Sequence, residues 1–68
     1  DGGADGLDPY RHLMPEIRRL LAPEGFGVLE FGEGQGADIA AIARMAGLTV
    51  CGLHSDLAGL ERVIIVKP

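Results

Sequence analysis

Four adjacent aliphatic residues, Val63-Ile64-Ile65-Val66, leave this chain little freedom in how it folds. Successive side chains of a strand point to opposite sides of a sheet, so a strand with one wet face alternates apolar and polar residues. This run does not alternate. It reads as a strand in the interior of a sheet, buried on both faces. The segment before it, Ser55 to Leu60, spans about six residues, which suits a hairpin and is too short for a parallel crossover.

The rest of the chain supplies the neighbours. Residues 1–7 are rich in glycine and aspartate and read as a flexible loop. Asp1, Asp5 and Asp8 stand at spacings that miss the EF-hand pattern, so no metal is assigned to them. A helix is expected over 8–22, with Asp8 as cap and Pro9 at its first position. Tyr10, Leu13, Met14, Ile17, Leu20 and Leu21 recur on one helical face. Pro15 interrupts them and predicts a kink or restart near Met14. Further elements are expected as a strand over 26–32, a helix over 35–46, and strands over 48–54 and 61–67. The first strand also reads as covered on both faces, and Gly47 falls where a left-handed helix cap is wanted.

The first and second strands are joined through a helix and should run parallel. The simplest sheet slots the last strand between them, antiparallel to both. The expected fold is α/β: a three-stranded mixed sheet, order first-third-second, with two helices packed on its faces.

At 68 residues the chain is one small domain, and a domain of this size buries only about 60% of the surface of its unfolded chain. Few such chains hold both a cofactor and a substrate. It opens on Asp1 in what reads as the middle of a loop, so a fragment of a longer protein is expected. The net charge is −4, and Arg18-Arg19 is the only adjacent basic pair among six basic residues. This argues against a nucleic-acid surface. Cys51 is the sole cysteine, which favours a reducing compartment. No apolar run approaches the roughly 20 residues needed to span a bilayer, and no signal-peptide pattern opens the chain. These features point to a soluble, cytoplasmic fragment.

Chemistry concentrates in "VLEFGEGQG", Val28 to Gly36. Gly32, Gly34 and Gly36 follow a strand and open a helix, where backbone N–H groups and the positive helix end can face an anion. Asp56 lies 20 residues past Gly36, matching the acid that holds ribose hydroxyls in dinucleotide-binding units. Against this, such units need further βα repeats, and the same glycines serve a plain strand-to-helix turn. Cys51, His54 and Asp56 do not make a nucleophile triad, because residues three apart on a strand point to opposite faces. His12 has no ligand partner at helical spacing.

Four strings stand in register. They are Asp-Gly-Leu-Asp-x-Tyr-Arg (Asp5 to Arg11), Leu-Leu-Ala-Pro-x-Gly (Leu20 to Gly25), Leu-Glu-x-Gly-x-x-Gln (Leu29 to Gln35) and Asp-Leu-Ala-Gly-x-x-Arg-Val (Asp56 to Val63). In this order they resemble the C-terminal part of the HemK/PrmC methyltransferases, over essentially the whole chain. The resemblance implies a class I, Rossmann-like enzyme. Such an enzyme moves a methyl group from S-adenosylmethionine to the side-chain amide nitrogen of a glutamine in peptide chain release factors. It also implies that the cofactor loop and the catalytic Asn-Pro-Pro-Tyr lie upstream; this chain contains no Asn. Val28 to Gly36 would then be the fifth strand of that sheet and the turn after it, a look-alike of a cofactor loop.

On this reading the segment holds no catalytic, cofactor-binding or metal residues of its own. Glu30 and Gln35 stand at the carboxyl end of the first strand, where they are expected to shape the rim of the substrate pocket or, for Glu30, to bond N–H groups in the turn. Tyr10 reads as core and Arg11 as solvated. The expected partner of the parent enzyme is a release factor, and the open edge of the first strand predicts self-association of the fragment. The competing reading is a stand-alone nucleotide-binding or protein-interaction module built on Gly32–Gly36.

Overall fold

The computed structural model describes residues 6–32, 34–55 and 61–68. Five elements follow in order: α1 (Asp8–Leu20), β1 (Gly27–Glu30), α2 (Gly36–Met45), β2 (Thr49–Ser55) and β3 (Glu61–Lys67). The strands form one sheet in the order β1-β3-β2. The last strand is therefore central, as its unbroken aliphatic run requires. Both ladders are antiparallel; β1 and β2 run parallel to each other but are separated by β3.

The register explains the core. Leu29 and Leu53 flank Ile64, while Gly27 and Val50 flank Val66. Ile64 and Val66 are fully buried, together with Met14 of α1 and Ile39 and Ala43 of α2. Both helices thus cover the face that carries Ile64 and Val66. The other face differs. Val28 is 56% exposed, and Val63 and Ile65 are only half-buried. The expectation that β1 and β3 are covered on both faces holds for one face among the described residues, because α1 and α2 lie on the same side. A thinnest dimension of 14 Å fits one helix layer on one sheet layer.

Helix α1 departs from expectation in several ways. It runs unbroken through Pro15, with no restart near Met14. Its N-cap is Leu7, which makes no side-chain cap bond. Asp8 lies inside the first turn, and its carboxylate accepts from Arg11 at 2.7 Å instead of capping. The buried stripe is also narrower than six residues. Met14 is buried and Tyr10, Ile17 and Leu21 pack against the core, whereas Leu13 is 43% and Leu20 70% exposed.

Helix α2 ends in a complete glycine cap. Gly47 has φ +88°, its N–H donates to the Arg44 carbonyl, and the Leu48 N–H donates to the Ala43 carbonyl, both at 3.0 Å. This is the Schellman pairing, and its apolar contact joins buried Leu48 to buried Ala43. The cap turns the chain directly into β2.

Burial predicts where stability resides. Ile64→Ala should cost about 2–5 kcal/mol in urea unfolding of the 68-residue chain, the range for a truncated core isoleucine. Val28→Ala, on the exposed face, should cost under about 0.5 kcal/mol. Equal losses would show that the second face is covered in solution.

Candidate functional site

The carboxyl end of β1 is where an open α/β sheet receives ligands, and three side chains meet or leave the chain there. Glu30, the last residue of β1, is exposed, and its carboxylate has no hydrogen-bond partner among the described residues. Its backbone carbonyl accepts a bond from the Tyr10 hydroxyl at 3.1 Å. Gln35 is half-buried at the N-cap of α2. Its Oε1 accepts from the Gly32 N–H at 3.0 Å, and its own N–H donates to the Gly32 carbonyl at 3.3 Å.

The turn bond assigned to Glu30 is therefore made by Gln35. The reason is geometric: Glu30 shares a sheet face with its partner Val63, the face without helices, whereas Gln35 returns over the turn that leaves β1. Tyr10 combines two roles. Its ring packs on the core while its hydroxyl crosses to β1. Helical spacing places the ring, but no local pattern reveals a partner 20 residues away. Arg11 is exposed and bonds Asp8.

The glycine loop can be tested as an anion cradle by asking where its donors go. The N–H groups of Gly32 and Gln35 are both engaged inside the turn. Asp38 adds a carboxylate to the first turn of α2, where it opposes a second anion. Gly34 sits at φ +80°, a conformation that favours glycine. The Gly32 and Gln35 groups thus close the turn on itself.

Other candidates fall apart or lie elsewhere. Cys51 sits at the bulge between Val50 and Gly52, exposed, with its thiol directed to the Thr49 carbonyl at 3.8 Å. His54 lies over Gly52, where a Cβ would stand 2.9 Å from its Nε2. Asp1, Asp5 and Asp56 lie outside the described residues, as does the connection expected to turn the chain over residues 56–60. Among the described residues no three His, Cys, Asp or Glu side chains gather as a metal site, and no helix is long and apolar enough to cross a membrane. An open groove of about 250 Å³ lies between α1 and α2, lined by Arg11, Pro15, Ile42, Met45 and Ala46. It is apolar and offers no acid–base pair.

A Cβ at Gly34 would meet nothing within 4 Å, so the cost of a side chain there is conformational alone. Gly34→Ala should lower unfolding free energy by about 1–2 kcal/mol, the left-handed penalty, and Gly34→Leu by a similar amount. A loss in urea melts that grows with side-chain size would reveal a contact this turn does not show.

Comparison with known proteins places the segment. A release factor glutamine methyltransferase of Rhodospirillum rubrum is 46% identical over 67 residues, covering 98% of this chain and 21% of the relative. That of Caulobacter vibrioides is 43% identical over 65 residues, 96% of this chain and 22% of the relative. That of Moorella thermoacetica is 49% identical over 47 residues, 69% of this chain and 17% of the relative. The chain thus spans about a fifth of the length of the curated relatives it matches. No family profile matches it, and no solved structure does. Nearly end to end, these 68 residues are homologous to the C-terminal part of the release factor glutamine methyltransferases.

Proposed function

We propose that this segment belongs to a cytoplasmic enzyme that transfers a methyl group from S-adenosylmethionine to the side-chain amide nitrogen of a glutamine in peptide chain release factors. The observation that carries the reading is the match of 98% of the chain to relatives of that name. Within such an enzyme the segment forms the border of the sheet and one wall of the substrate pocket, with Glu30 and Gln35 at the rim. It supplies neither the cofactor site nor the reacting groups. Two of the loop's N–H groups are already engaged, which supports that division of labour.

The fold supports the same reading from a different side. Among the described residues, Val28, Val63 and Ile65 make an aliphatic sheet face with no helix on it, and β1 has an unpaired edge. Strands apolar on both faces belong to sheets with helices on both sides. About four-fifths of each relative lies outside the matched part; in the parent enzyme, residues from there cover this face and continue the sheet beyond β1.

Two measurements test the division. Calorimetric titration of the isolated 68 residues with S-adenosylmethionine should give no binding at micromolar concentrations, and the same chain should transfer no methyl group to a release factor. Micromolar binding would return the glycine loop to the cofactor and revive the nucleotide-module reading. In sedimentation at high concentration the isolated chain should self-associate through β1 and the open face; a clean monomer would count against an exposed edge.

A further inference from the structure

Two polar side chains, one from α1 and one from the residue before α2, converge on the carboxyl end of β1. Tyr10 of α1 bonds the carbonyl of its last residue, Glu30, at 3.1 Å. Gln35, before α2, bonds the N–H of Gly32 at 3.0 Å. On its other side the Gln35 amide faces Gly6, where a Cβ would lie 3.7 Å from Nε2; Gly6 has φ +73°. The backbone entering α1 thus lies beside the backbone leaving β1.

Neither bond is needed to build the elements it joins. The ring of Tyr10 packs on the core whether or not it carries a hydroxyl. The turn after β1 is already closed by the Gln35 N–H and the Gly32 carbonyl. Both side chains act on backbone groups, so what they add is a fixed position for one end of a strand.

We infer that Tyr10 and Gln35 are positioning residues: Tyr10 ties α1 to the last residue of β1, Gln35 ties down the turn that follows, and together they fix the pocket end of β1 and so set the affinity for the glutamine-bearing protein substrate. The inference rests on the methyltransferase reading for its substrate, and on the hydrogen bonds alone for its positioning part. It concerns the acceptor rather than the cofactor because the Gly32 and Gln35 N–H groups are engaged inside the turn.

The test uses the full-length enzyme carrying Tyr10→Phe, Gln35→Met or Gln35→Glu, numbered as in this chain. Tyr10→Phe and Gln35→Met should each raise KM for a release factor about tenfold, the scale of one lost hydrogen bond. The Kd for S-adenosylmethionine should stay within about twofold and kcat within about threefold, since only placement of the acceptor is disturbed. Gln35→Glu keeps an oxygen acceptor for the Gly32 N–H and should recover most of the loss seen in Gln35→Met.

Hydrogen exchange at the Gly32 amide provides a readout independent of activity. It should speed up about tenfold in Gln35→Met and much less in Gln35→Glu. A fall in Tm without a change in KM would reduce both residues to a structural role and overturn the inference. Equal defects in Gln35→Glu and Gln35→Met would do the same. A wild-type enzyme active on release factors with unshifted variants sinks this inference alone. A wild-type enzyme inactive on release factors sinks the methyltransferase reading and the substrate part with it, while unchanged Gly32 exchange sinks the positioning part whatever the activity.

Discussion

The structure depends on β3 being paired along both edges while Ile64 and Val66 are pressed beneath two helices. A chain of 68 residues has few places to bury apolar surface, and the middle strand of a three-stranded sheet is the best of them. Ile64 meets Leu29 on one side and Leu53 on the other, so three strands share one apolar row. The next row alternates size: Gly27 opposes Val66, and a Cβ on Gly27 would stand 3.3 Å from Val66 Cγ2 and 3.5 Å from Ile17 Cγ2. The tighter of these contacts is with the neighbouring strand, so the bare Gly27 leaves room for Val66. Ala40 and Ala43 are small, buried residues of α2.

From that packing follows the geometry of the two ends of the sheet. At one end the Schellman cap of α2 delivers Leu48 into the core and starts β2 in register. Arg18 of α1 lies across the same cap, its Nε 3.5 Å from where a Gly47 Cβ would be. At the other end buried Phe31 and Leu7 are accompanied by polar ties, from Tyr10 to Glu30 and from Gln35 to Gly32. The end of the sheet that faces ligands in α/β folds thus adds directional bonds to its apolar packing, and their geometry is set more narrowly than that of apolar contacts.

The central position of β3 was legible in the sequence because it rests on a long-range rule with a local signature: an unbroken aliphatic run before a short connection. Gly47 was legible for a similar reason, since a left-handed cap has a strong residue preference. What failed was anything decided by neighbours absent from the local pattern. Leu13 and Leu20 satisfy helical spacing as well as Ile17 does, yet α2 lies on only one side of α1 and leaves them in water. Asp8 is a good capping residue, but the helix begins one residue earlier and Arg11 takes its carboxylate. For the site, order along the chain puts Glu30 last in β1 and Gln35 just before α2, while the choice of which one closes the turn depended on side-chain direction relative to the sheet.

The same distinction separates a glycine loop that binds from one that only turns. Both need positive φ, both follow a strand and open a helix, and a short glycine pattern describes either. The difference lies in where the N–H vectors end. A cradle must leave donors unpaired and converging on one point, at some cost in stability while empty, because an unmet donor is destabilising unless water or ligand reaches it. Here the residue that would complete the pattern, Gln35, turns its own amide oxygen onto the Gly32 N–H and its N–H onto the Gly32 carbonyl. Both bonds are satisfied without any ligand. A turn tied to itself in this way keeps its shape without a ligand, and the Gly32 and Gln35 N–H groups are not free to meet one.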